Sequence, residues 1–289
     1  MSSSELRQVN RLTAPEPEHE RPVRPRSLHR YGQNLLVDTN VLRAIVTMAG
    51  VRADDVVLEV GAADGRLTEQ LLQRARLVHA FEIDRRFAGH LAQLAERHSN
   101  LRVHLDDALK TSLSELEPPA NHLVANLAYN IAIPLLVETA GSVPSIERWA
   151  VMVQKELAER LFAAPRTKAY AAVSVLLQLA CQPGQTRLVP RNAFSPAPKV
   201  DSVFVTFRRR GEWSEHEWAA VAPLVRLAFA QRRKMLLNSL SGAAHAGRAL
   251  ARDDVRRALT ALQVPETARP EELTPQQFIA LAQHLGWIS

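Results

Sequence analysis

The sequence predicts an α/β fold, in which a Rossmann-like, largely parallel sheet with helices on both faces precedes a small all-helical C-terminal domain. Three observations favour this fold class. Short apolar runs alternate with segments whose apolar residues recur at helical spacing. The alternation starts at Leu35 and stops near Arg210, after which only helical patterns remain. The chain has 289 residues, which is enough for about two domains.

The elements predicted for the first half follow this alternation. Residues 1–27 carry Ser, Pro, Glu and Arg without apolar periodicity, and they predict a disordered tail. A helix follows over 42–49, and Gly50 ends it. Buried strands are predicted at residues 55–60, 77–83, 101–105, 123–127 and 149–153. The helices between them are predicted at residues 67–75, 87–96 and 135–139.

The second half changes from strands to helices. Two further strands, at 186–189 and 202–207, flank a Pro-rich turn over 195–199. Helical patterns then cover residues 215–230, 233–241, 253–262 and 275–285. The predicted units are therefore the tail at 1–27, a sheet domain at 28–210 and a helical domain at 211–289.

The composition excludes several classes of protein. Apolar residues make up 46% of the chain and charged residues 23%, as in ordinary globular proteins. The single cysteine, Cys181, excludes a disulfide framework and a cysteine-based zinc site, and the ten His lack metal-ligand spacing. No apolar run reaches the ~18 residues of a membrane span, and the N-terminus contains no hydrophobic signal core. We expect a cytoplasmic monomer that holds no metal and contacts no membrane.

The net charge of +6 is unevenly distributed. Residues 1–30 carry an excess of two positive charges and residues 207–234 an excess of four, whereas the other two stretches are each neutral. Lys and Arg at the edges of a neutral body suit a polyanionic partner, because contacts to phosphate release counterions. A solvated charged surface is the simpler interpretation of charge alone.

The first predicted strand runs into a glycine-containing loop, from Glu59 to Gly65. Gly61 and Gly65 permit a tight turn and close approach of a ligand to the backbone. Glu82 ends the second strand, 21 residues after Gly61, where an acid that accepts hydrogen bonds from ribose hydroxyls is expected. A dinucleotide and S-adenosylmethionine both remain candidates. Ala63 replaces the second glycine of the dinucleotide motif G-x-G-x-x-G, a loss that S-adenosylmethionine tolerates because it has no pyrophosphate.

Further acids lie near this loop. Asp64 is expected to cap the helix that starts after Gly65. The third strand ends in Asp106 and Asp107. The carboxylate of Asp107 would accept a hydrogen bond from the exocyclic amine of a cofactor adenine. A turn-forming Asp is an equally good interpretation of this position.

The fourth strand ends in the most specific segment of the chain, N-L-A-Y-N at 126–130. Methylation of a base amine needs acceptors aimed at the amine and a flat surface that holds the ring. The Asn126 side-chain oxygen and the Leu127 backbone carbonyl would accept the two N–H groups, and Tyr129 would stack on a base that has left its helix. Positioning and electrostatics then supply most of the rate without a general base. A turn with a half-buried aromatic ring is the alternative, but the place at the fourth strand end favours the functional interpretation.

At these positions the sequence resembles the rRNA adenine N6,N6-dimethyltransferases, from about Tyr31 to the C-terminus. The motifs occur in the order and spacing of that family. They are Y-G-Q-N-L-L (31–36), E-V-G-A-A-D-G (59–65), N-L-A-Y-N (126–130), F-S-P-A-P-K-V-D-S (194–202) and F-A-Q-R-R-K (229–234), the last followed by Asn238. The last two motifs resemble the KsgA-type branch, which acts on the small ribosomal subunit.

The resemblance implies a reaction and a set of site residues. Residues 28–210 would be an S-adenosylmethionine-dependent methyltransferase domain, and residues 211–289 a helical RNA-binding domain. The reaction would dimethylate two adjacent adenines near the 3′ end of 16S rRNA, late in small-subunit assembly. Tyr129 and Phe194 would sandwich the flipped adenine, beside Asn126 and Leu127. The cofactor pocket would be lined by Asn34, Leu36, Gly61, Glu82, Asp107 and Asn126.

Two basic runs would grip rRNA phosphates. The first contains Arg208 and Arg209, and the second contains Arg232, Arg233 and Lys234. As charge runs alone, both are more typical of solvated surfaces.

Departures from the family pattern keep two alternatives open. Ala63 and Asp64 alter the cofactor loop, and Ala128 replaces a Pro that would stiffen the catalytic turn. We expect reduced or retuned activity at most, because none of these changes removes an atom that the chemistry uses. One alternative is an Erm-type enzyme, which dimethylates a single adenine of 23S rRNA and confers macrolide resistance. The other is a ribosome-assembly factor that has lost catalysis on the same fold.

Overall fold

A computed structural model describes residues 34–211, 215–231, 233–245 and 248–288. The predicted tail at 1–27, residues 31–33 of the first family motif, and Arg232 of the second basic run lie outside the described residues.

A mixed sheet forms the centre of the protein. Its strands, with one short outlying pair, are β1 (Leu35–Leu36), β2 (Val56–Val60), β3 (Leu77–Phe81), β4 (Leu101–His104), β5 (His122–Asn126), β6 (Arg148–Gln154), β7 (Cys181–Val189), β8 (Phe194–Ser195) and β9 (Ser202–Arg209). In the described part of the chain, seven of them form one sheet in the order β4-β3-β2-β5-β6-β9-β7. The first five run parallel, whereas β9 is antiparallel to both β6 and β7. The predicted parallel sheet with two added strands is confirmed. Its strand order changes direction between β2 and β5, and such a point opens a crevice at the carboxyl ends of the strands.

Helices cover both faces of this sheet. They are α1 (Thr39–Ala49), α2 (Arg66–Leu72), α3 (Ala88–Arg97), α4 (Tyr129–Ser142), α5 (Lys155–Leu161), α6 (Ala172–Ala180), α7 (Glu215–Phe229), α8 (Leu236–Leu240), α9 (Arg252–Ala261) and α10 (Pro275–His284). Each of these helices is too short or too polar to cross a lipid bilayer, within the ranges that the structure describes.

The ends of α1 show how local sequence sets a helix boundary. The Asp38 side chain accepts hydrogen bonds from the amides of Asn40 (2.8 Å) and Val41 (3.1 Å), which have no partner inside the helix. Gly50 takes a left-handed conformation (φ 65°), and its N–H donates to the Thr47 carbonyl. The predicted stop at Gly50 is confirmed.

Several elements differ from the sequence-based expectation. Strand β7 begins at Cys181 rather than at 186, and β1 pairs antiparallel with β8, so that Leu36 lies opposite Phe194. Helices α5 and α6 were not predicted. The C-terminal segment also contains a two-stranded hairpin, β10 (Ala244–His245) with β11 (Arg248–Ala249), so the expectation that it is entirely helical is wrong in this detail.

The apolar core has two parts, one on each face of the sheet. Helices α1, α2 and α3 cover the first face, while α4, α5, α6 and the C-terminal helices α7–α10 share a continuous core on the second. Gly141 of α4 contacts Trp218 of α7 so closely that a Cβ at Gly141 would lie 1.9 Å from the indole nitrogen. Tyr170 donates a hydrogen bond of 2.8 Å to the Leu273 carbonyl. The secondary structure therefore changes near residue 210, but the apolar core continues across that point.

Candidate active site

The carboxyl ends of the parallel strands surround one cavity of about 430 Å³. Each of these strand ends contributes lining residues, and so do the β1 and β8 segments. The lining includes Asn34, Leu35, Gly61, Ala63, Glu82, Ile83, Asp107, Leu109, Asn126, Leu127, Tyr129, Gln154, Phe194, Pro198 and Ser202. Every predicted catalytic residue lies here, as do all predicted cofactor residues except Leu36, which lines a smaller adjoining pocket with Glu59 and Gly61. The structure therefore brings the predicted residues together, although their individual roles stay predictions.

The glycine loop after β2 turns sharply at the base of the cavity. Gly61 (φ 83°) and Gly65 (φ 73°) both take left-handed conformations, and the Gly61 N–H donates to the Phe81 carbonyl at 2.8 Å. Ala63 is also left-handed (φ 47°), at the position where the family motif has glycine. A non-glycine residue in this region costs roughly 1–2 kcal/mol. The substitution in the loop has therefore kept the glycine backbone conformation at the expense of strain.

Glu82 connects this loop to the end of β3. Its carboxylate accepts hydrogen bonds from the amides of Ala63 and Asp84, each at 2.8 Å. The residue is buried, and burial raises its pKa, although the two amide hydrogen bonds oppose that shift. A carboxylate offers about four acceptor positions, so Glu82 retains acceptor capacity toward the cavity.

Glu59 is a second acid beneath the loop. It is buried beside the Thr68 hydroxyl, and neither of its carboxylate oxygens makes a hydrogen bond of good geometry in the described part of the chain. Burial raises its pKa to about 8; the Thr68 hydroxyl opposes this shift, and the charges of Glu82 and Asp64 add to it. A buried polar group without a partner is unusual in a folded protein.

Asp64 does not cap the following helix, so that prediction is wrong. The N-cap position of α2 is Gly65, which has no side chain to offer, and the Asp64 carboxylate instead pairs with Arg66 Nε at 2.6 Å. Because Arg66 pairs with this carboxylate, the negative charge that Asp64 adds to the loop at 59–65 is partly neutralised.

The Asn126 side chain is fixed at the end of β5. Its Nδ2 donates to the Asn34 carbonyl at 3.2 Å, which leaves the Oδ1 atom as an acceptor. The next residue, Leu127, donates its backbone N–H to Met152 on the neighbouring strand at 3.0 Å. These two hydrogen bonds, to Asn34 and to Met152, fix the positions of Asn126 and Leu127, the two predicted acceptors.

The catalytic turn keeps the geometry that its missing proline would impose. Ala128 has φ −64° and ψ 145°, and a proline ring fixes φ near −65°. Its carbonyl begins α4 by accepting from the amides of Ile131 and Ala132. Ala128 therefore has the φ value that a proline would fix at this position.

Two aromatic rings line the cavity near this turn. Tyr129 is the first residue of α4 and is 51% exposed, while Phe194 is 5% exposed and is held in place by the β1–β8 pair. The exposed ring at the mouth suits an incoming flat ligand. The sandwich of an adenine between the two rings stays a prediction.

An apolar recess extends the cavity from Gly61 past Glu82 toward Asp107. Ile83 (51% exposed) and Leu109 (39% exposed) line it. Sequence reasoning missed both, although Ile83 is the last residue of the second predicted strand and Leu109 follows the end of the third within a few residues. The Asp107 carboxylate accepts from the Leu109 amide at 3.0 Å, so the turn-forming interpretation of Asp107 is confirmed, while its contact with a cofactor stays a prediction.

The first predicted basic run lies at the opposite end of the sheet. Arg208 pairs with Arg148 at the start of β6, whereas Ser202 pairs with Gln154 at its end. Six residues along a strand span about 20 Å, so Arg208 is far from the cavity.

Arg209 has a structural role that argues against its use as an RNA ligand. Its guanidinium stacks over Trp149, 5.2 Å from the ring centre. It donates hydrogen bonds of 2.8–3.2 Å to the carbonyls of Thr139, Ala140, Val143 and Ile146. These bonds engage all three of its nitrogens and hold the end of α4, so we omit Arg209 from the proposed RNA-binding residues. Arg233 and Lys234 of the second run are exposed between α7 and α8.

Comparison with known proteins decides the family. Residues 26–279 match the family model of ribosomal RNA adenine dimethylase. The chain belongs to the ribosomal RNA adenine dimethylase family. The resemblance noted from the motifs is thus confirmed over most of the sequence.

Relatives of this dimethylase-family chain match about nine-tenths of its length. A protein from Rubrobacter xylanophilus, called ribosomal RNA small subunit methyltransferase A, is 41% identical over 262 residues, which cover 91% of this chain and 96% of that protein. A protein of the same name from Streptomyces griseus is 43% identical over 266 residues and 89% of each chain.

Solved structures show the same fold. A dimethyladenosine transferase from Plasmodium falciparum superposes with a TM-score of 0.70 at 27% identity, covering 86% of this chain and 95% of that one. The 23S rRNA methyltransferase ErmE gives a TM-score of 0.62, also at 27% identity, covering 88% of this chain and all of that one. The dimethylase fold is therefore confirmed, and both branches considered from the sequence share it.

Metal ligands are not grouped in the described ranges. No cluster of three or more His, Cys, Asp or Glu side chains there could hold a metal ion. The cavity lining contains carboxylates, an amide and aromatic rings.

Proposed function

We propose that the protein is an S-adenosylmethionine-dependent dimethyltransferase of two adjacent adenines near the 3′ end of 16S rRNA. It acts on the small ribosomal subunit during late assembly, in the cytoplasm and as a monomer. The observation that carries the proposal is the Asn126 amide. Its nitrogen donates to Asn34, and its oxygen stays available inside the same cavity that holds Tyr129, Gly61 and Glu82.

The cavity residues fit the proposed cofactor. The remaining acceptor capacity of Glu82 suits a pair of ribose hydroxyls, and the recess beside Ile83 and Leu109 suits a flat adenine. The space in front of Gly61 is open to a ligand, because the atom nearest to a Cβ built there is the Asn126 carbonyl oxygen, at 3.8 Å. S-adenosylmethionine supplies an electrophilic methyl group when bound. The residues that would hold it are Asn34, Leu36, Gly61, Glu82, Asp107 and Asn126.

The chain's own residues would orient the target amine. The Asn126 Oδ1 atom and the Leu127 carbonyl accept its two N–H groups and direct the nitrogen lone pair out of the ring plane. Tyr129 stacks on the base, and Phe194 supports the opposite side of the pocket. Fixed acceptors of this kind lower the barrier by positioning, without a titrating base.

The small-subunit branch is favoured by sequence similarity. The relatives from Rubrobacter xylanophilus and Streptomyces griseus, both named small subunit methyltransferase A, are 41% and 43% identical over about nine-tenths of the chain, whereas the ErmE structure is 27% identical. An Erm-type activity is therefore the second candidate, supported by the shared fold.

A two-substrate assay tests the proposal. The protein is incubated with labelled S-adenosylmethionine and either small subunits that lack the modification or naked large-subunit RNA. We expect dimethyladenosine in digested RNA from the small subunits alone. Label in the large-subunit RNA alone would assign the Erm-type activity instead.

A binding experiment separates an enzyme from an inactive scaffold. Calorimetric titration with S-adenosylmethionine should show one site per chain, and Asn126→Ala should abolish methyl transfer. Because the Asn126 amide also holds Asn34, Tyr129→Ala serves as a second variant that leaves this hydrogen bond intact. A wild-type protein that binds neither cofactor nor subunits would contradict the proposal.

A further inference from the structure

Three exposed cations, Lys155, Arg191 and Lys199, each lie beside a segment that lines the cavity near Phe194. Lys155 follows Gln154, Arg191 precedes Phe194 by three residues, and Lys199 follows Pro198. We refer to Lys155, Arg191 and Lys199 as the basic rim.

Backbone pairing joins the segments that carry the rim. Gln154 lies opposite Ser202 where β6 pairs with β9, and the Lys155 amide donates to the Asp201 carbonyl at 2.9 Å. The end of β6 and the segment before β9 are therefore neighbours. Arg191 is tied to the same place, because its Nε lies 2.7 Å from the Asp201 carboxylate.

The rim retains positive charge after this pairing. Asp201 neutralises one cation, and Glu156, the acid beside Lys155, pairs with Arg160 instead. Besides the hydrogen bond from Arg191, the charge of Lys155 also lies near enough to Asp201 to lower the pKa of that carboxyl, but no hydrogen bond or ion pair joins the Lys155 side chain to it in the described residues. Arg191 meets Asp201 through Nε, so its two terminal nitrogens keep donors for another ligand. Three cations against one carboxylate leave an excess of two positive charges.

We propose that the basic rim binds the phosphates on either side of the target adenine. This inference rests on the proposed function, since it concerns the RNA that enters the same cavity. A base that leaves its stack must be held by its backbone, and phosphate contacts fix its position without reading the sequence. The rim also supplies what the predicted run at Arg208 and Arg209 does not, namely cations beside the segments that line the cavity.

Removing two of the cations tests the rim. Lys155→Ala combined with Lys199→Ala leaves the Arg191–Asp201 pair intact. The matched control is Arg74→Ala with Arg76→Ala, which removes two exposed cations before β3, at the far end of the sheet. Both variants lose the same charge, so only position distinguishes them.

The readouts are methylation kinetics and the salt dependence of binding to unmodified small subunits. For the rim variant we expect KM to rise about tenfold with kcat unchanged, and the slope of log K against log salt to fall by about 1.5. The control should keep wild-type values. Lys155→Arg with Lys199→Arg should restore the salt slope, because each residue keeps its charge.

The outcomes separate the rim from the activity. If the wild-type protein is active and the rim variant keeps the wild-type KM and salt slope, the phosphate-binding role of the basic rim is rejected and the proposed function stands. Equal losses in the rim variant and the control would show a general effect of charge and would also reject it. A wild-type protein that methylates neither substrate would reject the proposed function, and the rim with it.

Discussion

Buried acids at the two ends of the parallel sheet have pKa values that are shifted in opposite directions. At the amino end, Asp55 pairs with Arg148, accepts from the Arg52 amide at 2.7 Å and lies 3.6 Å from His122 Nδ1. Burial alone would raise the pKa of Asp55, but these partners outweigh it and lower that pKa to about 2. At the carboxyl end, Glu59 is surrounded by the Thr68 hydroxyl and the carboxylates of Glu82 and Asp64, and burial raises its pKa to about 8.

This difference in hydrogen bonding indicates that the acid at the amino end stabilises the fold, whereas the acids at the carboxyl end serve the cavity. The acid at the amino end is surrounded by donors, so it can stabilise the fold in its charged form. The acids at the carboxyl end are buried beside a cavity with incomplete hydrogen bonding, which costs stability and keeps acceptors available. Three substitutions test this contrast.

The largest effect is expected from Glu59→Gln. Because the pKa of Glu59 is raised when folded, its contribution is full below its ordinary pKa of 4.5 and is lost as pH rises toward about 8. Wild-type stability relative to the variant should fall by up to roughly 4 kcal/mol between those limits. Urea unfolding over a series of pH values measures it. Glu96→Gln, on the exposed face of α3, should keep the wild-type pH dependence. If Glu59→Gln keeps it too, Glu59 ionises freely and the contrast between the two ends fails.

Asp55→Asn tests the amino end. It leaves the Arg148 charge without its partner, and breaking a buried pair from one side costs about 3 kcal/mol. Because the pKa of Asp55 is lowered, its stabilisation is present above the ordinary value of 3.8 and disappears as pH falls through about 2. The difference in urea midpoint between wild type and variant should therefore vanish in acid.

The control for Asp55 is the exposed ion pair of Glu156 with Arg160. Glu156→Gln should change the free energy of unfolding by less than about 0.5 kcal/mol, since solvent screens such pairs. A loss of similar size from both variants would mean that burial of Asp55 adds nothing.

Ala63→Gly has the smallest expected effect and refines the contrast. Glycine would relieve the left-handed strain at the cofactor loop, so we expect a gain of about 1 kcal/mol in stability and tighter S-adenosylmethionine binding. Gln263→Gly is the matched control, because Gln263 is also left-handed (φ 55°) but lies between α9 and α10. It should stabilise without changing cofactor affinity. Equal calorimetric affinities for all three proteins would show that the strain does not reach the site.

The location of the site residues could be predicted from the sequence, but the partners of its charged side chains could not. Strand ends of a parallel sheet meet at one edge, so residues such as Gly61, Glu82 and Asn126 converge whatever the loops do between them. The partners of an acid depend on distant segments, and nothing near Glu59 in the sequence indicates that its carboxylate lacks a hydrogen bond of good geometry. Arg209 shows the same limit, because a charge run does not reveal that one side chain turns inward onto the carbonyls of α4.

Helix α6 and the β1–β8 pair, which the sequence does not predict, share one physical cause. Helix α6 (AVSVLLQLA) is buried almost all round, so its apolar run lacks the polar face that marks a helical period. The pair of β1 with β8 joins two residues to two others across more than half of the chain, and such short strands leave no local pattern. Both depend on tertiary packing rather than on local preference.

The β1–β8 pair links the two halves of the proposed reaction. Leu36, on the cofactor side, lies opposite Phe194, on the base side, and the Val37 and Asp38 amides both donate to the Ala193 carbonyl. If the proposed cofactor contacts Leu36 and the proposed base contacts Phe194, a ligand that shifts one strand also shifts the other through these hydrogen bonds. Because such coupling is reciprocal, occupancy of each subsite should tighten the other by the same factor. Under the proposed function, two residues of antiparallel ladder would therefore couple the binding of cofactor and RNA.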